Sequence, residues 1–173
     1  MTLATPFVQL NLSVKEVRTW IFTTLFIFGN LLLPQLCHFV PMGGLIFLPI
    51  YFFTLIAAYK FGLKVGLLTA VLSPVVNSLL FGMPVVAMLP IILTKSVLLA
   101  IVASLVARRS KSLSVLLLAL VVLTYQVLGG MVEGLLAQNW LAGVQDFRMG
   151  FPGLMVQVLG GWMVLKALAK YER

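Results

Sequence analysis

The chain has 173 residues, 62% of them hydrophobic and 9% charged, with a mean hydropathy of +1.15; soluble domains run near a quarter charged, so this composition excludes one and predicts an integral membrane protein. The 12 Lys and Arg against 4 Asp and Glu sit in short clusters between apolar runs, which reads as a topology signal and excludes nucleic acid as the partner. The single cysteine, Cys37, excludes an intramolecular disulfide, and no CxxC pair or His/Cys cluster predicts a metal site.

In chain order, residues 1–14 alternate polar and apolar without spanning length and predict a loose or interfacial tail. No cleavable signal peptide is expected, because the first apolar run starts behind polar residues and is followed by several more. A membrane helix needs roughly 20 mostly apolar residues. Six segments qualify, at about 19–36, 44–59, 65–81, 85–107, 112–138 and 151–169. The expectation is one all-α membrane domain, 1–173, with six transmembrane helices.

The basic residues orient it. Lys15 and Arg18 precede the first span, Lys60 and Lys64 fall between the second and third, Arg108, Arg109 and Lys111 between the fourth and fifth, and Lys166, Lys170 and Arg173 close the chain. All of these share one side, whereas the opposite loops, 37–43, 82–84 and 139–150, hold only Arg148. Cytoplasmic N- and C-termini and an even number of spans follow from the excess of positive charge on cytoplasmic loops. The expected location is the cell (inner, cytoplasmic) membrane, multi-pass.

The third span carries two stripes at helical spacing: Thr69, Ser73 and Asn77, and beside them Gly62, Gly66, Ala70, Pro74 and Ser78. Small residues let helix backbones approach closely in lipid, and Pro74 frees a carbonyl that needs another partner. Thr69 and Ser73 are readable as bonds to neighbouring helices or as cavity lining; Asn77, near the outer end, favours a cavity. Lys95 and Glu133 are sharper, since a charge at mid-helix costs on the order of 2.5 to 3.5 kcal/mol to insert. They lie about ten and five residues from the outer ends of their spans, roughly 15 and 8 Å deep. An ion pair between them is feasible, either purely structural or in contact with a polar ligand.

Further along, Tyr125 and Gln126 read as inter-helix bonds and Gln157 lies on the outer half of the last span. His38 borders the first outer loop, as a solvated side chain or a ligand contact. In the loop 139–150, Trp140 reads as an interfacial anchor and Asp146 with Arg148 as a pair in water, or the whole as a lid. Catalysis is not expected: the chain has no HExxH, GxSxG or phosphate-binding glycine loop, no second histidine and no intramembrane aspartate pair.

The run Leu48–Ile92 resembles the central region of the substrate-binding S components of energy-coupling factor (ECF) vitamin transporters. The features that carry the likeness are Pro49, Gly62, Gly66, Leu72-Ser73-Pro74, Gly82-Met83-Pro84 and Leu89-Pro90, together with Gly150, Pro152, Gly153 and Gln157 at the last helix. The resemblance implies a subunit that captures a vitamin-like small molecule from the outer face at high affinity. It would then dock on a transmembrane coupling subunit driven by two ATPase subunits; ATP is used by those partners and no cofactor is bound by this chain. It also implies a site on outer loops and outer helix halves, where Tyr51, Asn77, Lys95, Glu133, Arg148 and Gln157 fall. Lys95 and Arg148 are then candidate anion contacts, with Glu133 and Asn77 as hydrogen-bonding partners. The family's Ala-xxx-Ala docking stripe on the first helix is replaced by Thr19-xxx-Thr23, and Ala103-xxx-Ala107 lies on the fourth. Two other classes fit the size and topology: a non-transport membrane scaffold of the envelope-morphogenesis type, and a small ion-coupled carrier.

Overall fold

The computed structural model describes residues 5–110 and 112–171; residues 1–4 of the predicted tail, Lys111 and Arg173 lie outside the described residues. Among the described residues eight helices follow in chain order: α1 (Val17–Cys37), α2 (Gly43–Phe47), α3 (Pro49–Phe61), α4 (Leu63–Phe81), α5 (Val86–Arg109), α6 (Val115–Leu136), α7 (Trp140–Arg148) and α8 (Phe151–Lys170). Two-residue strands β1 (Thr5–Pro6) and β2 (Ser112–Leu113) pair antiparallel. Among the described residues five helices, α1, α4, α5, α6 and α8, are long and apolar enough to cross a bilayer. The chain is a multi-pass membrane-embedded protein.

The predicted second span is where the structure departs most from expectation. Residues 44–59 do not form one helix: Leu48 adopts a left-handed conformation, φ 46° and ψ 48°, between α2 and α3. Pro49 disfavours the right-handed helical region for the residue before it, so the chain turns at Leu48 and restarts. The restarted helix α3 has 13 residues and spans roughly 20 Å, less than the ~30 Å hydrocarbon core. Its compensation is position, because Leu55, Ile56, Ala57, Ala58 and Tyr59 are all completely enclosed. A helix apolar all round belongs inside a bundle, and α3 indeed contacts α1, α4, α5 and α8.

Small and polar residues set how closely the other helices approach α3. A Cβ on Gly66 of α4 would stand 2.5 Å from Ala58 Cβ, so the two backbones meet there with no side chain between them. Asn30, buried in α1, joins three helices. Its Nδ2 donates to Thr54 Oγ1 at 3.1 Å and Ser73 Oγ at 3.2 Å, and its Oδ1 accepts from the Phe53 N–H at 3.2 Å. Without a hydrophobic force between helices in lipid, such packing and hydrogen bonds carry the association. Thr69 contributes nothing of this kind; its hydroxyl donates to Val65 O of its own helix at 2.9 Å.

The described part of the N-terminal tail is docked and not loose. Phe7 and Leu12 are buried, Leu10 N–H donates to Lys60 O at 2.9 Å and Leu12 N–H to Phe61 O at 3.1 Å, while Gln9 Nε2 reaches Ala58 O at 2.9 Å. These bonds satisfy the last carbonyls of α3, which would otherwise be orphaned. The predicted fifth span, 112–138, is shorter at both ends: 112–113 form β2 and α6 begins behind Ser114, whose side chain accepts from Leu116 N–H. The predicted loop 139–150 contains α7, started by Asn139, whose side chain accepts from Leu141 N–H. Lys60, Lys64, Arg108, Arg109, Lys166 and Lys170 gather at the end of the bundle where the tail docks. That end is the basic end; the α1–α2, α4–α5 and α6–α8 connections lie at the other.

Candidate functional site

At the end opposite the basic one, the broken α2–α3 segment leaves space beside α1, α4 and α5. A chamber of about 330 Å³ is lined by Pro34 of α1, His38 just after it, Met42, Leu45, Pro49 and Ile50, Asn77 of α4, and Met83, Pro84, Val85, Met88 and Ile92. A smaller recess of about 100 Å³ is lined by Leu48, Tyr51, Ile91, Lys95, Glu133 and Asp146. Gly44, Leu45, Ile50, Met88 and Ile92 line both, so the two adjoin. The outer chamber is apolar apart from His38 and Asn77; the recess is where the charge lies.

Lys95 projects from α5 and is 2% exposed. Its Nζ donates to Glu133 Oε2 of α6 and, at 2.8 Å, to Asp146 Oδ2 of α7. The feasible Lys95–Glu133 pair is formed. Asp146, expected to pair with Arg148 in water, instead turns inward to Lys95. The reason is helical geometry: Gly143 and Asp146 share the buried face of α7, whereas Arg148, two residues on, points about 200° away and is exposed. Arg148 lines a separate surface depression with Asn139 and Gln145, so it and Lys95 are not brought together as anion contacts.

Glycines bring the three charges within reach. A Cβ on Gly130 would stand 2.4 Å from Gly143 O, and one on Gly143 2.2 Å from Gly130 O, so α6 and α7 touch backbone to backbone. The Lys95 stem crosses α6 at Gly129, where a Cβ would meet Lys95 Cγ at 2.5 Å. A side chain at any of these three positions would separate the partners. Ion pairs enclosed in this way hold only with close geometry, because burial removes the hydration of each charge.

Five of the seven predicted site residues line the two cavities: His38, Tyr51, Asn77, Lys95 and Glu133. Arg148 does not, and neither does Gln157, which lies behind the site. Gln157 Oε1 accepts from the Tyr125 hydroxyl at 2.8 Å, and that hydroxyl accepts from Gln126 Nε2 at 3.2 Å, in a fully buried group. The Tyr51 ring packs on Tyr125 at 5.6 Å between centroids and links this group to the recess. Asn77 Oδ1 accepts from Gln35 Nε2 at 3.4 Å, a residue that sequence reasoning passed over. Asn30 was passed over as well, although a lone amide in the middle of an apolar span signals an inter-helix bond.

The residues proposed from sequence as a docking surface are all enclosed: Thr19, Thr23, Ala103 and Ala107 are each no more than 3% exposed. Their small side chains serve packing within the bundle, and Thr19 Oγ1 donates to Ser13 O at 2.5 Å. The exposed face of α1 is instead Trp20, Ile21, Leu25, Phe28, Leu32 and Leu36. Among the described residues no cluster of His, Cys, Asp and Glu is placed to hold a metal ion. Compared with protein-family models, with curated proteins and with solved structures, the chain gives no significant match.

Proposed function

We propose that this chain captures a small solute from outside the cell, as the substrate-binding subunit of an ECF-type importer. The observation that carries the reading is the apolar chamber of about 330 Å³ joined to a charged recess at the end away from the basic cluster. Ligand sites are typically concave and mostly apolar, of roughly 300 to 1,000 Å³, with a few convergent polar groups. If the basic end faces the cytoplasm, the chamber faces outward. In this reading α3 counts as a sixth, centrally enclosed crossing, and both chain ends are cytoplasmic. A coupling subunit and two ATPases would supply the energy, ATP being consumed by them.

Equilibrium binding tests this directly. Purified full-length protein in lipid nanodiscs, without ATP, is titrated with water-soluble vitamins and their precursors; saturable binding of at least one is the expected result. Binding of none in a broad panel would overturn the capture reading. A second reading, the non-transport scaffold, is favoured by the buried groups Asn30–Thr54–Ser73, Tyr125–Gln126–Gln157 and Lys95–Glu133–Asp146, which bond among themselves. That reading leaves the chamber without a role.

A further inference from the structure

The recess has an unequal charge count. Lys95 is its one basic side chain, against two carboxylates, Glu133 and Asp146. Each carboxylate spends one oxygen on Lys95 Nζ. Glu133 Oε1 and Asp146 Oδ1 have no hydrogen-bond partner among the described residues, and neither is sealed off inside the protein, so both remain open to a ligand. Arg148, the nearest other cation along the chain, faces away from the recess, and His38 lines the outer chamber only. Tyr51 also lines the recess, and most of the remaining wall is apolar, with Leu48, Ile50 and Ile91. An excess carboxylate in a largely apolar recess is costly unless paired, and a cation entering the recess would also bond the two oxygens that Lys95 leaves open.

Resting on the capture reading, we infer that the solute is an organic cation: an ammonium or amidinium group in the recess, carried on an apolar or aromatic body in the outer chamber. The head donates N–H to Glu133 Oε1 and Asp146 Oδ1, and the cluster becomes two cations against two carboxylates. The recess, about 100 Å³, suits a head of a few heavy atoms; the chamber, about 330 Å³, takes the body. Met42, Met83 and Met88 in its wall are polarisable and adaptable and favour contact with an aromatic ring. The sign is opposite to the anion contact that the sequence suggested for Lys95.

The test uses wild-type protein in nanodiscs and compounds in matched triples, one body bearing a terminal ammonium, hydroxyl or carboxylate; tryptamine, tryptophol and indole-3-propionate form one such triple. The vitamin panel is run beside them. In triples that bind, the ammonium member is expected to bind roughly tenfold tighter than the hydroxyl member, the size of a charge-assisted hydrogen bond. Glu133→Gln and Asp146→Asn, each checked for an unchanged elution profile, are expected to erase most of that preference, the ammonium member losing more affinity than the hydroxyl member. A carboxylate or hydroxyl member binding as tightly as the ammonium overturns the cation assignment and leaves capture standing. A preference unchanged in both variants also overturns it. Binding by no triple and no vitamin overturns both.

Discussion

Lys95 is the residue whose removal should cost most. Truncating one partner of a buried ion cluster strands the others, at about 3 to 5 kcal/mol, so Lys95→Ala is expected to lower the melting temperature far more than Thr69→Ala. Thr69 bonds only its own helix, and its loss should cost about 1 kcal/mol. Thermal unfolding of both variants in the same detergent checks this; equal shifts would remove the cluster from the fold's energetics. Asn77 and Gln157 separate binding from folding. Asn77→Leu should weaken solute binding with little loss of stability, because Asn77 borders the chamber and holds one long hydrogen bond. Gln157→Leu should do the reverse, since it strands the Tyr125 hydroxyl inside the bundle. At this scale Lys95, Glu133 and Asn77 were legible because polar groups in an apolar span need a reason to be there, whereas His38 was named for its place at the first outer loop and Tyr51 through the family resemblance alone. It misassigned Asp146, whose partner is 51 residues away in sequence, and no local pattern records such a distance.

Among the elements, α7 decides whether the recess is closed. Its seat is the contact of Gly143 with Gly130, where either backbone stands where the other's side chain would be. Gly143→Val is therefore expected to lift α7 from α6, separate Asp146 from Lys95 and weaken binding by roughly tenfold or more, the share of one charge-assisted bond. Trp140, whose ring covers Gly134 so closely that a Cβ there would stand 2.9 Å from its Cε3, supplies the readout, since its fluorescence should shift as α7 leaves. Unchanged fluorescence and affinity would show that α7 does not build the site. The loop reading of 139–150 failed because a nine-residue helix after a short connection carries too little periodicity to stand out beside 20-residue spans. The break at Leu48 was, by contrast, locally written in Pro49; length alone had argued for a continuous second span.

For the whole molecule, orientation decides from which side the chamber is filled. In a Cys37→Ser background, Met83→Cys is expected to react with a membrane-impermeant maleimide added to intact cells, and Ser110→Cys only after the cells are opened. The reverse pattern would place the chamber on the cytoplasmic side and overturn capture from outside. The helical, multi-pass character and the separation of a basic end from an apolar one were settled by composition, because hydropathy and charge are additive along a chain and the bilayer admits few solutions for the backbone. Which polar residues meet was decided only by the tertiary structure. Lys95, Glu133 and Asp146 come from three helices, and Asn30, Thr54 and Ser73 from three others. Whether such groups touch depends on helix rotation and on contacts as short as Gly130 on Gly143, and those are fixed by the packing of all the helices together.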